Sequence, residues 1–247
     1  IAIIAILAAI LMPVLDKARF RAEEASCLSN FHQWGAAANL YADENQQRLP
    51  VIPDAGGQFY SEDDPNDVST NLLVGMQPYQ INVQQWFCPV REAAFTLAEQ
   101  SLGRPIVTIP DLLAYYQSLG LGMVQAQHCW WVPRGGSASL HVTASITLSN
   151  PINNARWAAR LTDTCVNANP IVTDMINNAS VGAHIFDENM ADLGTFQGGH
   201  PLLPANSARG GGLNPITVSR AYGDGHAEQV PAKQINWRSY GVYTTCY

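Results

Sequence analysis

The sequence is poor in charge. Its 247 residues include 13 Lys and Arg against 20 Asp and Glu, so charged residues make up 13% of the chain and the formal net charge is −7. Soluble domains carry roughly 25% charged residues. An acidic chain with few Lys and Arg lacks the basic surface that phosphate backbones require, so nucleic acid is not an expected partner. The low charge favours a secreted or assembled protein over a cytosolic enzyme.

The sequence also lacks the common motifs of catalysis and cofactor binding. It contains no GxSxG, HExxH, GxxxxGKS or GxGxxG pattern, and its five cysteines include no CxxC pair. We therefore expect no catalytic residue, and we expect that the protein is not an enzyme. Apolar residues make up 47% of the chain, which excludes a disordered protein because they supply enough surface for a sizeable core.

The apolar run IAIIAILAAILMPVL at residues 1–15 is the most informative segment. It contains no charged or polar side chain, and Pro13 is its single proline. A helix of this length covers about 22 Å, less than the roughly 30 Å hydrocarbon core of a bilayer. Since no Met and no basic segment precede the run, we interpret it as the later part of a longer hydrophobic segment. Three alternatives are open: a signal-peptide core, a buried helix, or a membrane or assembly helix that stays on the mature protein.

Residues 16–43 are predicted to continue this helix. They contain no proline, and their apolar side chains recur at intervals of three, four or seven residues, namely at Phe20, Cys27, Phe31, Trp34, Ala38 and Tyr41. One helix, either continuous or interrupted at Pro13, would then run for about 43 residues and about 65 Å, which exceeds the roughly 45 Å diameter of a compact body of this size. We predict that its second half packs on that body through Phe31, Trp34 and Tyr41. The first half needs lipid or further copies of itself.

Four stretches of the sequence carry a resemblance. They are IAIIAILAAILMPVLDKARFRAEEASCLSNFHQWGAAANLYADENQQRLP at residues 1–50, FCP at 87–89, PIVTD at 170–174 and YGDGHAEQVP at 222–231. The first of them resembles the N-terminal region of type IV pilin-like proteins, the pilins and the type II secretion pseudopilins. The resemblance is closest to a pseudopilin-like family, common in planctomycetes and verrucomicrobia, with a prepilin N-terminal cleavage and methylation motif and a C-terminal Asp-Gly-His signature.

The resemblance implies a structural protein. Its expected function is that of a subunit of an extracellular type IV pilus-like or pseudopilus filament, with copies of itself as partners in a helical homopolymer. The subunit would be inserted in the inner membrane before assembly, and inner-membrane assembly machinery would deliver it to the cell surface. The assembly helix would use Ile1, Ile3, Ile4, Ile6, Leu7, Ile10, Leu11, Pro13 and Leu15. The alternative is a membrane-anchored monomeric surface binding protein, or a minor pseudopilin of a type II secretion system.

The fold class expected from these patterns is α+β and pilin-like. The long N-terminal helix, at residues 1–45 with a membrane or filament core at 1–15, would project from a globular α+β head at 46–247. The head would be a mostly antiparallel β-sheet with inserted helices.

Composition and turn residues predict further elements in the head. The predicted helices are at residues 67–75, 91–102 and 111–119, ended by Gly75, Gly103 and Gly120, with one or two helical turns at 153–161. The predicted strands are at 124–132 and 139–148, joined by a hairpin at 134–137, followed by a long loop at 195–214. The clearest hairpin joins strands at 216–222 and 226–230 through Asp224 and Gly225.

The family signature, which joins a histidine to a later Asp-Gly-His, suggests four metal ligands. They are Asp174, His200, Asp224 and His226. Carboxylate and imidazole groups could hold a divalent ion, and the resemblance to pseudopilins implies Ca²⁺. Alternatively, Asp224 only supplies turn geometry, because a type I′ hairpin accepts Asp at a position of positive φ. We favour the turn, so no cofactor is predicted and Ca²⁺ is the alternative.

The cysteines suggest one further constraint. Cys246 lies next to the end of the sequence and suggests a disulfide that fixes the last segment, with Cys165 as the proposed partner. Cys27 lies on the apolar stripe of the long helix and is interpreted as a small hydrophobic residue.

Overall fold

The structure is a computed structural model that describes residues 2–50, 67–120, 123–126, 128–132, 158–163, 166–167, 169–174, 176–178, 196–198, 200–201, 216–231, 237–240 and 243–246. Its α-helices are α1 (Ala2–Glu44), α2 (Thr70–Met76), α3 (Glu92–Leu102) and α4 (Ile109–Ser118). Short 3₁₀ helices lie at Gln77–Tyr79, Val83–Trp86 and Pro89–Arg91. The predicted α+β class with a long N-terminal helix is confirmed.

The described strands form three antiparallel sheets. The strands are β1 (Asp67–Val68), β2 (Val124–Gln125), β3 (His128–Trp130), β4 (Pro170–Asp174), β5 (Ile176–Asn178), β6 (Phe196–Gly198), β7 (His200–Pro201), β8 (Ile216–Tyr222), β9 (Ala227–Pro231), β10 (Trp237–Tyr240) and β11 (Tyr243–Cys246). One sheet has the order β3-β4-β8-β7, with β9 also paired to β8; a second has the order β10-β11-β5-β6; and β1 pairs with β2.

Helix α1 spans 43 residues, as predicted, and it continues through Pro13 without an interruption. It ends where Gln46 and Gln47 adopt left-handed φ angles of 57° and 64°. The backbone N–H of Gln47 donates to the carbonyl of Ala42 at 2.7 Å, which closes the last turn. The chain then reverses, and Leu49 donates its backbone N–H to Ala159 at 2.9 Å.

The short helices begin where a side chain caps them. In α2 the hydroxyl of Ser69 accepts from the backbone N–H of Leu72, so the cap is Ser69 and not Asp67, whose backbone pairs with β2 instead. Helix α4 starts two residues before the predicted position because Thr108 and Asp111 form a reciprocal capping box.

Two predictions for the head differ from the structure within the described residues. The helical turn predicted at 153–161 does not extend through its last residues, because Arg160 forms an antiparallel bridge with Arg48. The loop predicted at 195–214 contains β6 and β7, whose polar and glycine-rich sequence shows no strand alternation but which pair with β5 and β8. The predicted strand at 139–148 and the hairpin at 134–137 lie outside the described residues.

The core lies where α1 crosses β3, β4 and β8. Trp34 of α1 packs edge-on against Trp86 and Trp130, with ring centroids 4.8 and 4.5 Å away. All three indole rings are buried. Edge-to-face packing of large aromatic rings contributes beyond the area that they bury, so this triad joins the helix firmly to the head.

Candidate functional site

The first half of α1 exposes an apolar surface. Nine large apolar side chains are each 56% to 74% exposed: Ile3, Ile4, Ile6, Leu7, Ile10, Leu11, Met12, Val14 and Leu15. At about 100° of rotation per residue, they cover about two-thirds of the helix circumference, and alanines and Pro13 supply much of the rest. A helix that is apolar on all sides needs an apolar environment on all sides. We call residues 2–15 the apolar rod; of the predicted assembly residues, Ile1 lies outside the described residues.

Within the part of the chain that the structure describes, no helix combines the length and the apolar composition needed to cross a membrane.

The second half of α1 belongs to the core of the head. Phe31 and Trp34 are completely buried, and Tyr41 is half-buried with its ring 5.6 Å from that of Tyr79. The indole N–H of Trp34 also donates to the backbone carbonyl of Gln85 at 3.1 Å. The three residues predicted to face the body therefore all contact it.

Glu24 marks the point where the head begins to cover α1. It is the first buried residue along the described helix and is only 2% exposed. One carboxylate oxygen accepts from the hydroxyl of Thr217 at 2.8 Å, and the other pairs with the guanidinium of Arg21 at 2.7 Å. The buried carboxylate of Glu24 thus has a hydrogen-bond donor at each oxygen, and its bond to Thr217 fixes the helix at the start of β8.

The Asp-Gly-His segment forms the hairpin between β8 and β9. Tyr222 and His226 close a three-residue loop, in which Gly225 donates its backbone N–H to Tyr222 at 3.0 Å. Only Gly225 of this loop has a positive φ, 88°. The predicted two-residue type I′ turn with positive φ at Asp224 is therefore wrong. The loop matches the three-residue class that ends in a left-handed glycine.

Asp224 and His226 interact with each other at the exposed hairpin tip. The Asp224 carboxylate accepts from the backbone N–H of His226 at 3.0 Å and also contacts its ring Nδ1. The imidazole stacks on Tyr222 with centroids 4.1 Å apart. Burial and the hydrogen bond to Glu228 raise the pKa of Tyr222 to about 12. The side chains of Tyr222, Asp224 and His226 thus contact one another and stabilise the hairpin.

The hairpin tip rests directly on α1. The side-chain amide of Asn39 donates to the carbonyls of Gly35 and Gly223, both at 2.9 Å. A Cβ added at Gly35 would lie 3.2 Å from backbone atoms of Gly225. The helix and the turn are so close here that a methyl group at position 35 would displace the turn by a few tenths of an ångström.

We expect Gly35→Ala to destabilise the protein by about 1–2 kcal/mol, because the turn must move away from the new methyl group. Gly75 of α2 is the matched control: a Cβ there meets nothing within 4 Å. Gly75→Ala is expected to stabilise the protein by about 0.5–1 kcal/mol. Chemical denaturation of the full chain in detergent measures both. A gain for Gly35→Ala as large as that for Gly75→Ala would contradict the close packing of the hairpin on α1.

Asp224→Asn is expected to change the free energy of unfolding by less than about 0.5 kcal/mol, because an amide oxygen still accepts from the His226 N–H. Asp224→Ala removes that acceptor and should cost about 1 kcal/mol. Melting temperatures with and without a chelator complete the test. A chelator effect that is present in the wild type and absent in Asp224→Asn would instead assign a metal to the hairpin tip.

The four predicted metal ligands are not brought together as a set. Asp174 is completely buried on β4, where its carboxylate accepts from the backbone N–H of Ser219 at 2.9 Å. Asp224 and His226 are exposed beyond the C-terminal end of β8, which lies about 10 Å along the strand from Ser219. His200 is described only through its backbone, on β7.

The predicted disulfide falls mostly outside the described residues. Cys165 is not described, and Cys246 is described only through its backbone, which pairs with Trp237 in the sheet of β10 and β11.

The sequence did not predict a cluster of cysteine, histidine and carboxylate side chains that surrounds Asp174. Cys27 Sγ lies 3.6 Å from Cys88 Sγ and 3.8 Å from a carboxylate oxygen of Asp174, and His128 Nδ1 lies 3.6 Å from that same oxygen. All four side chains are buried. The cluster joins α1, the segment after the second 3₁₀ helix, β3 and β4. Its sequence signal is weak, because these residues follow no recognisable spacing.

Comparison of the chain with protein-family models, with curated proteins and with solved structures found no match.

Proposed function

We propose that this chain is the structural subunit of an extracellular type IV pilus-like or pseudopilus filament, which polymerises through the apolar rod of α1. The proposal rests on one observation. The apolar rod has no charged side chain and is exposed on all sides, and the same helix continues without a break into the core of the head. Helices of neighbouring subunits would cover one another and turn the heads outward.

The energy of assembly would come mainly from the rod. Burying an Ile, Leu, Val or Met side chain from water contributes roughly 1.5–3 kcal/mol, and nine such side chains are exposed on the rod. Part of that free energy is offset by the cost of ordering the subunits. The remainder would still make the helical core the dominant interface of the filament.

The proposal includes the membrane stage that precedes assembly. The rod would be held in the lipid of the inner membrane, and assembly machinery there would transfer each subunit from lipid to the filament. Lipid and helix core are both apolar, so the rod would exchange one dry environment for another. The head, anchored from Glu24 onward, would stay folded in both states.

Negative-stain microscopy of material sheared from the cell surface tests the proposal. We expect thin filaments that bind an antibody raised against the head, and no labelled filaments from cells in which the gene is deleted. Surface material that contains the chain without labelled filaments would contradict the proposal. That result would favour a membrane-anchored monomeric binding protein.

A further inference from the structure

We propose that Cys27, Cys88, His128 and Asp174 bind one zinc-type divalent cation at the place where α1 joins the sheet. The proposal is independent of filament formation. Three of these residues, Cys27, Cys88 and Asp174, place one ligand atom each within 4.8 Å of one another, and all three are buried. Two sulfur atoms and one carboxylate oxygen in such proximity form a donor set that zinc accepts.

His128 supplies the fourth donor through its orientation. Its Nε2 lies 3.0 Å from the backbone carbonyl of Gln85. A carbonyl only accepts hydrogen bonds, so Nε2 carries the proton and donates. In the neutral imidazole, Nδ1 then presents a lone pair. This is the arrangement in which metal-binding histidines are held, with the second ring nitrogen donating to a carbonyl.

His128 Nδ1 lies near a buried carboxylate. The distance from Nδ1 to the oxygen of Asp174 is 3.6 Å, and Nδ1 has no hydrogen-bond partner although the side chain is completely buried. A buried nitrogen without a partner costs free energy, and two acceptors that face each other repel. A cation between them removes both costs.

Two of the separations are close to the edges of a tetrahedron around zinc, whereas His128 stands outside the group of three ligand atoms that all lie within 4.8 Å of one another. Zinc–sulfur bonds of about 2.3 Å place two sulfurs about 3.8 Å apart, and zinc–nitrogen and zinc–oxygen bonds of about 2.0–2.1 Å place those atoms about 3.4 Å apart. The structure has 3.6 Å between the sulfurs and 3.6 Å between nitrogen and oxygen. To complete the coordination, the His128 ring would have to move toward the two sulfurs, and Asp174 already lies within reach of both His128 and Cys27.

Binding would require both thiols to release their protons, giving two thiolates and a carboxylate around the ion. The backbone N–H of Ser219 already holds the second carboxylate oxygen of Asp174 at 2.9 Å and would orient that ligand. The ion would connect α1 to β3 and β4, so its role is structural: it would stabilise the junction between helix and head.

The test uses the full chain in detergent micelles, reduced and stripped of metal with a chelator. Titration with Co²⁺, a coloured substitute for Zn²⁺, is expected to give one equivalent of tetrahedral binding with thiolate charge-transfer absorption, which Zn²⁺ then displaces. Zinc should also raise the melting temperature, because it binds the folded state. Absence of the thiolate absorption in the wild type would overturn the proposal.

Single substitutions test which residues bind the metal, with the affinity for Co²⁺ as the measurement. Even outer-shell residues contribute roughly 10–100-fold to metal affinity, so Cys88→Ser and His128→Gln are each expected to weaken cobalt binding by at least ~100-fold. Cys129→Ser is the matched control, because Cys129 is equally buried and neighbours His128 but projects from the opposite face of β3. Equal losses in Cys129→Ser, or unchanged binding in Cys88→Ser, would overturn the proposal.

X-ray absorption of the zinc-loaded wild type needs no variant and covers the case in which a variant fails to fold. Two sulfurs at about 2.3 Å and two lighter atoms at about 2.0–2.1 Å would support the site, and a shell without sulfur would reject it. Peptide mapping of the chain as isolated, before reduction, tests for a competing disulfide, because a Cys27–Cys88 bond joins the two peptides that contain these residues. A chain isolated with that bond would also overturn the proposal.

Discussion

Ile6→Asp is expected to abolish filament formation while the head stays folded. Ile6 lies in the apolar rod and is 61% exposed in the single subunit, so nothing in the head depends on it. In a dry helix core or in lipid, a carboxylate costs about 3 kcal/mol or more. The measurement is the yield of labelled filaments in negative stain, normalised to the amount of chain in the membrane fraction.

Ile6→Val is the matched control, since it keeps an apolar side chain and should assemble at the wild-type yield. A chain without residues 1–19 removes the rod but keeps the helix from Glu24 onward, and is expected to be a soluble monomer by light scattering. Normal filament yield with Ile6→Asp, or filaments from the truncated chain, would show that the head carries the assembly contacts.

Trp34→Ala is expected to destabilise the head by roughly 3–5 kcal/mol, which is the range for removing a large buried side chain. The change would empty the centre of the triad formed with Trp86 and Trp130 and would also remove the hydrogen bond to the carbonyl of Gln85. Denaturant unfolding of the full chain in detergent, followed by circular dichroism, measures the change in the free energy of unfolding.

Leu40→Ala provides the comparison on the same helix, because Leu40 is 54% exposed. Its expected cost is within about 0.5 kcal/mol, as for other surface substitutions. Similar small effects for both variants would show that the contact between α1 and the sheet contributes little to the stability of the head.

The sequence predicts α1 well because the signals for a helix are local. Pro13 and Pro50 bracket a long run without proline, and the apolar stripe through Phe31, Trp34 and Tyr41 identifies the covered face. The ends of α3 and α4 are also local, since Gly103 and Gly120 adopt the left-handed φ that stops a helix.

The remaining features depend on contacts between distant segments. The partners of Cys27 in the buried cluster lie 61 and 147 positions away, and no local spacing encodes such a meeting. The hairpin shows the same limit on a smaller scale. Asp224 and Gly225 predict a tight turn, but nothing local to them predicts its contacts with Gly35 and Asn39.

The attachment of α1 has a mechanical consequence. Side-chain hydrogen bonds tie the helix to the head at several positions along its second half, among them those between Glu24 and Thr217, Trp34 and Gln85, and Asn39 and Gly223. A pull along the helix axis would load all of these bonds and the tryptophan packing together, in shear, whereas a sideways pull would open them one after another. A force applied to the apolar rod would therefore meet the greatest resistance along the axis of α1.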